Sequence, residues 1–337
     1  MKINLYMLTA ERDNLKNIMR SFQEGILKYY STSLINKDLT HDNYQDCIKE
    51  LKKKHKVEVN CVYNEKYRDC DIAIQFGGVK DRNTVHHNLK RDIKEKAEKI
   101  VILETPILGR KINNSHDYNY YRLAVDGFLF NEGVFNYHTS NKDNTRWNKL
   151  KSELGYKEFT GWKSNPNGNI LLLTQLPGDS SLRHNDTFEW IKNTVSEIRN
   201  HTDRKIVIRL HPAMSSKGRH EFAGNLNEFI FSNPSNIEWS IGERSLQQDL
   251  NDAKVTVSYT SGSAIDAVLH GVPSIAIDEG SFIWPISSHK LTEIENPFLA
   301  DLKTVNQWLW NISYNQWGVG ELESEAAWKY VLETIKE

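Results

Sequence analysis

KVTVSYTSGSAIDAVLHGVPSIAID, residues 254–278, decides the reading of the fold. An apolar run at Val255–Tyr259 has the length of a buried strand. It passes into Thr260, Ser261, Gly262 and Ser263, after which apolar residues recur at helical spacing to about His270. Gly271 and Pro273 then break the chain before a second apolar run, Ser274–Ile277. The order is strand, small polar turn, helix, strand, which is the unit of a parallel α/β sheet. Such a turn directs backbone N–H groups and hydroxyls toward one point at a helix N-terminus, where the dipole favours an anion. An ordinary helix cap by Ser261 or Ser263 would need fewer small polar residues than the four present.

The same alternation extends in both directions. Strands are expected at Ile170–Thr174, Ile206–Leu210 and Ile237–Trp239, with helices near Thr187–Asn200, Ser245–Asn251 and Ser263–His270. The first half offers strands at Ile3–Leu8, Val57–Val62, Asp71–Phe76, Ile100–Leu103 and Phe128–Phe130. The pattern predicts an α/β protein of two Rossmann-like, doubly wound domains facing an interdomain cleft. Gly161–Gly168 (GWKSNPNG) has the composition of a linker. The expected division is residues 1–160, residues 161–315 and a C-terminal helical segment 316–337, with helix-like stretches at Ala300–Ile312 and Leu322–Ile335.

Length and composition fit that division. The 337 residues carry 43 Lys+Arg against 44 Asp+Glu, with 39% apolar residues, enough for two cores. No run approaches the roughly 18 apolar residues of a membrane span, and the start MKINLYMLTAERDNL lacks the order of a secretory signal, so a cytoplasmic protein without membrane contact is expected. Three cysteines, Cys47, Cys61 and Cys70, show no disulfide or zinc spacing, which agrees with a reducing compartment. Asp69-Cys70-Asp71 has the spacing of a D-x-D metal motif but precedes its strand, so no metal is expected. The charges are unevenly shared: residues 1–150 carry net +6 and the remainder net −7. Lys52–Lys56 (KKKHK) and Lys80–Lys99, with Arg82, Lys90, Arg91, Lys94 and Lys96, supply much of the excess. Interspersed acids make a solvated helix face one reading; a surface for a polyanion is the other.

Polar residues at the carboxyl ends of strands mark the candidate chemistry, because open α/β sheets bind ligands along that edge. KIVIRLHP ends a strand in Arg209 and His211, and Pro212 holds His211 extended. A histidine there can donate to a phosphate or leaving group. TQLPGDSSL contributes Gln175, Gly178, Asp179, Ser180 and Ser181, though PGDSS alone is also the composition of a turn with an Asp cap. With Thr260, Ser261, Gly262, Ser263 and Asp266 these form the expected nucleotide-sugar site. In the first half, Glu104 closes VILE and is the candidate general base, with Asp126 and Glu132 as competitors. No Walker loop, no G-x-G-x-x-G after a strand and no G-x-S-x-G elbow occurs.

Two Rossmann-like halves, a His-Pro after one strand and a Ser/Gly turn opening a later helix together resemble the GT-B nucleotide-sugar glycosyltransferases. His-Pro and serine-rich motifs occur in bacterial sialyltransferases and capsule Kdo transferases, where they hold the donor's phosphates; His211 and Ser261–Ser263 occupy the matching positions. The segments ILETPILGR (102–110), GDSSL (178–182), RLHP (209–212), GSFIW (280–284) and YNQWGVGELESEAAW (314–328) look like those of phage proteins that modify DNA bases. That resemblance implies glucosyl or arabinosyl transfer, from a donor of UDP type and without a further cofactor, to 5-hydroxymethylcytosine in double-stranded DNA. It leaves transfer of an acidic sugar from a CMP-linked donor to a surface glycan, and a non-catalytic DNA- or nucleotide-binding protein, as alternatives.

Overall fold

The computed structural model describes residues 1–7, 13–31, 40–63, 66–80, 83–109, 119–135, 142–183, 185–214, 218–219, 221–225 and 236–336. The chain forms two compact units, one of Met1–Phe128, Glu132–Asn141 and Tyr314–Glu337, the other of Leu129–Asn131 and Lys142–Ser313.

Unit 1 is built on a six-stranded sheet of order β11-β5-β4-β3-β1-β2. Its strands are β1 (Lys2–Tyr6), β2 (Glu58–Val62), β3 (Ile72–Phe76), β4 (Lys99–Glu104), β5 (Tyr120–Val125) and β11 (Gln316–Gly318). The four strands from β2 to β4 run parallel, as the sequence predicts, whereas β5 is antiparallel to β4 and β11 antiparallel to β5. The expected strand at Phe128–Phe130 is therefore corrected to Tyr120–Val125. Asp126 at φ 61 ends β5 ahead of Gly127, and the chain then turns to bridge Val134 back to Val125.

Helix α1 (Asp13–Tyr30) presents Ile18, Met19, Phe22, Ile26 and Leu27 at helical spacing, and these join Ile3, Leu5, Ile74, Val101 and Leu103 in one core. Helix α2 (His41–Glu50) runs into a π-helical turn, Leu51–His55, and α3 (Val85–Lys96) joins β3 to β4. Short α9 (Val319–Leu322) and α10 (Glu325–Lys336) complete the same core with Trp328, which is fully buried and meets Phe22 edge-on. Gly25 of α1 lets this segment approach: a Cβ there would lie 2.2 Å from the Leu322 carbonyl oxygen.

Unit 2 has an all-parallel five-stranded sheet of order β10-β9-β6-β7-β8. Its elements are α4 (Thr145–Leu154), β6 (Asn169–Leu173), α5 (Thr187–Arg199), β7 (Ile206–Arg209), β8 (Ile237–Ser240), α6 (Leu246–Asp252), β9 (Ala253–Ser258), α7 (Ser263–Leu269), β10 (Ser274–Ala276) and α8 (Leu302–Ser313). NILLL, IVIR and AKVTVS are buried at nearly every position, as strands of an all-parallel sheet are. The strand order reverses between β6 and β9, since the chain winds outward to β8 and returns to β9 on the other side. Asp186 caps α5 by accepting from the Glu189 amide at 2.9 Å.

The break between units falls near residue 141, not in Gly161–Gly168. The reason is hydrogen bonding: the Lys163 amide donates to the Gly271 carbonyl at 2.7 Å, the Trp162 indole to Ala300 at 2.7 Å, and Asn165 to Ala253. The Gly- and Asn-rich stretch is stitched onto unit 2. Residues 314–337 likewise belong to unit 1 and are not a separate piece. Among the described residues no helix is long and apolar enough to cross a membrane.

Candidate functional site

The strand order reverses between β6 and β9, and in such sheets the carboxyl ends of the two strands at that point are the usual ligand position. Gln175 follows β6 and Thr260 follows β9, and the two are clamped together. The Gln175 side-chain carbonyl accepts from the Thr260 amide at 3.0 Å, and its amide group donates to Thr260 Oγ1 at 3.0 Å. Thr260 Oγ1 also donates to the Ser181 carbonyl at 2.8 Å, and Gln175 donates to the Ser181 hydroxyl. Gln175 is 6% exposed, so the clamp is buried at its base.

Past the clamp, the turn opens α7 without any side-chain cap. Gly262 holds the N-cap position, the Ser261 carbonyl accepts from the Ala264 amide at 3.1 Å, and neither the Ser261 nor the Ser263 hydroxyl caps the helix. The capping role that an N-terminal serine commonly fills is therefore not what these hydroxyls do. Asp266, in the first turn of α7, accepts from the Tyr156 hydroxyl at 3.4 Å, and burial raises its pKa to about 6.

The loop after β6 is a turn of the ordinary kind. Asp179 accepts from the Ser181 amide at 2.9 Å and the Ser181 hydroxyl at 2.7 Å, capping a single 3₁₀ turn that Ser180 begins and Gly178 precedes. This turn delivers Ser181 to the clamp. His211 follows β7, the strand beside β6. Its Nδ1 accepts from the Ala213 amide at 3.2 Å, which in the neutral ring puts the proton on Nε2. No contact joins His211 to Ser261–Ser263 among the described residues.

Arg209, expected at the donor's phosphates, is held by groups of the scaffold. Its Nη1 lies 2.6 Å from Asp249 Oδ2 and 3.0 Å from both Ser240 Oγ and the Arg244 carbonyl. The guanidinium anchors α6 to the end of β7. The Arg-Leu-His-Pro run did not reveal this partner because Asp249 is 40 residues away.

The sequence reading missed a further group at the same edge. Tyr259 accepts from Asn185 Nδ2 at 2.7 Å and packs edge-on against Trp190, and burial pushes its hydroxyl up to about 12. Arg183 lies 3.4 Å from Asp278, at the end of the β10 segment, and donates to Asn131. The acid at the close of SIAID was a visible signal.

In unit 1, Glu104 ends β4 at the carboxyl edge of its sheet. Oε1 accepts from the Thr105 amide at 2.7 Å and Oε2 from the Gly78 amide at 3.3 Å. Its two competitors lie elsewhere. Asp126 pairs with Lys99 at 2.9 Å and accepts from the Ile100 amide, at the amino end of β4. Glu132 packs its backbone against Gly127 beside that same end. Asp71 of the D-x-D sequence accepts from the Lys2 amide, and among the described residues no three His, Cys, Asp or Glu side chains gather as a metal site. Of the basic stretch, Lys52, Lys53, Lys54 and Lys56 are exposed, whereas Lys90 is buried and Arg82 lies outside the described residues.

No protein-family model matches this chain, and no curated protein matches it in sequence. Solved structures do. KpsC, β-Kdo 2,7 transferase, of Thermosulfurimonas dismutans is 13% identical with a TM-score of 0.50, covering 98% of this chain and 100% of that one. The β-Kdo 2,4 transferase KpsC of the same organism is 12% identical with a TM-score of 0.42, covering 80% and 96%. UDP-GlcNAc 2-epimerase of Methanocaldococcus jannaschii, solved with UDP-GlcNAc and UDP, is 14% identical with a TM-score of 0.33, covering 99% and 100%. The fold is thus α/β with two Rossmann-like units, of the kind found in GT-B enzymes.

Proposed function

We propose that this protein is a glycosyltransferase that takes a sugar from a nucleotide-sugar donor held on unit 2. One observation carries the reading: at the point where the parallel sheet of unit 2 reverses, the Gln175–Thr260 clamp fixes a turn whose Ser261 and Ser263 hydroxyls are not used as caps. A diphosphate is the ligand that such hydroxyls and backbone N–H groups suit. His211 would donate from Nε2 to the leaving phosphate as the bond from the anomeric carbon to its oxygen breaks. Glu104 would take the proton of the acceptor hydroxyl as its oxygen bonds to that carbon. We infer a UDP-linked donor, with CMP-linked donors as the alternative, and no cofactor beyond the donor.

Two acceptors suit the reading. A hydroxymethylated pyrimidine base of double-stranded DNA, glucosylated or arabinosylated as in phages, is favoured by exposed Lys52, Lys53 and Lys54 on the π-helical turn, and Lys56 just after it, in the net positive first half. Such a base would have to be extruded from the duplex. A surface glycan is favoured by the fold likeness to a β-Kdo transferase. Purified protein is incubated with UDP- and CMP-sugars and with hydroxymethylated DNA or glycan acceptors, and products are read by mass spectrometry. A sugar mass added to one acceptor names it. Donor binding without transfer or hydrolysis for any pair would replace the enzyme with a nucleotide-binding protein.

A further inference from the structure

Lys90 is 5% exposed, an unusual place for an ammonium, and it sits beneath the carboxyl edge of unit 1. Its Nζ donates to the Phe76 carbonyl and lies 3.4 Å from the Gly77 carbonyl, the two groups that end β3. Gln75 Nε2 donates to the same Gly77 carbonyl at 3.2 Å. The next amide in the chain, that of Gly78, is the one that donates to Glu104 Oε2. Where a Cβ would sit on Gly77, Lys90 Nζ lies at 3.4 Å and Glu104 Oε2 at 3.6 Å, so cation and carboxylate face each other across that glycine. Gly77 has φ +74, and a Cβ on Gly78 would lie 2.3 Å from Phe128 Cε1; the turn admits no side chain at either position. An apolar side chain could fill the space of Lys90 without the cost of desolvating an ammonium. What the ammonium adds is a fixed turn and a positive charge beside Glu104.

We propose that Lys90 is a positioning residue for Glu104: it locks the Gly77–Gly78 turn, and the turn holds the carboxylate in the orientation that receives the acceptor proton. This rests on the glycosyl-transfer reading of Glu104. The other charged and titratable groups near this edge include Arg122, the cross-strand partner of Glu104 on β5; His86, one turn before Lys90 on α3; His87, which meets the His86 ring and accepts from the Lys80 amide; and Arg91, which donates to the Lys80 carbonyl. Arg122 is occupied by the Phe128 carbonyl at 2.8 Å, and burial, then the Lys90 charge, lowers His86 to about 4.

The test is a pH titration of the Gly78 amide resonance in glycine-labelled protein, paired with kinetics. In the wild type this resonance should move with the ionisation of Glu104, and Glu104→Gln should abolish the movement. Lys90→Met should remove most of the movement, lower kcat by about 10- to 100-fold and leave the donor KM within about twofold. Added to Glu104→Gln, it should cost nothing further, because both changes disable one device. A Gly78 titration unchanged by Lys90→Met, or losses that multiply in the double variant, would overturn the proposal. If no donor and acceptor pair gives transfer, the enzyme reading fails while the Gly78 titration still decides the role of Lys90. Should Lys90→Met not fold, Lys90→Gln, which keeps a donor without the charge, carries the same measurements.

Discussion

Replacing Asp249 tests whether Arg209 belongs to the scaffold or to the donor. The Asp249 side chain is 1% exposed and that of Arg209 13%, with 2.6 Å between them. Ser240 Oγ adds a bond to the same carboxylate at 2.6 Å, and Arg244 Nε approaches its other oxygen at 3.0 Å. Asp249→Ala would leave a nearly buried guanidinium with only a hydroxyl and a carbonyl as partners. Breaking one side of such a pair costs about 3–5 kcal/mol. With a urea dependence of about 2 kcal/mol per molar for a unit of this size, the midpoint of the unit 2 transition should fall by about 1.5–2.5 M. Arg209→Met should cost a similar amount. The double variant Arg209→Met with Asp249→Leu should recover most of the loss, since no unpaired charge remains. Urea unfolding followed by tryptophan fluorescence gives the stabilities, and calorimetry with UDP gives the nucleotide affinity. An Arg209→Met protein less than about 1 kcal/mol destabilised but bound about tenfold more weakly by nucleotide would refute the reasoning and return Arg209 to the phosphates.

Ser261→Ala combined with Ser263→Ala, or His211→Ala, should weaken nucleotide binding by about 1–3 kcal/mol per lost contact with the unfolding midpoint unchanged, read by calorimetry and urea titration. Asp266 has a folded pKa of about 6, above the ordinary carboxylate value, so the folded protein binds its proton more tightly than the unfolded chain. Its contribution is therefore intact at low pH and is lost as pH rises from about 4 to about 6. Asp266→Asn should flatten stability against pH in that window and leave the variant more stable than wild type at pH 7, by urea unfolding at each pH. Trp328→Ala should destabilise unit 1 by about 3–5 kcal/mol through the cavity it leaves, measured by thermal unfolding, with nucleotide affinity kept.

How much of this was legible beforehand depended on the reach of each interaction. β6, β7 and β9 announced themselves because a strand covered on both faces is built mainly of apolar residues. The turn at Thr260–Ser263 was legible for the same reason in reverse: four small polar residues interrupt that rule at one strand's carboxyl end. β5 was missed because YYRLAV carries Arg122 in its centre, and only the cross-strand register with Glu104 and the Phe128 carbonyl explain that charge. β11 is three residues long and has no pattern of its own. Glycine, proline and asparagine in GWKSNPNG suggested a free linker, but composition cannot show that Lys163, Trp162 and Asn165 find partners 88 to 138 residues away. Lys90 was counted with a basic surface because charge is visible in a sequence and burial is not.

The return of residues 314–337 to unit 1 has a consequence for the order in which the molecule can be made. β11 supplies an edge to β5, and Trp317, Leu322, Ala327, Trp328, Tyr330 and Val331 line the same core as Ile3 and Phe22. During synthesis the first unit thus waits, its apolar interior lacking one wall, until the last of those residues leaves the ribosome. The second unit, apart from three residues continuous in sequence, has all its strands available earlier. Nascent chains stalled before residue 314 should hold a native second unit beside an unfinished first one, making the older end of the chain the one that needs a chaperone's protection.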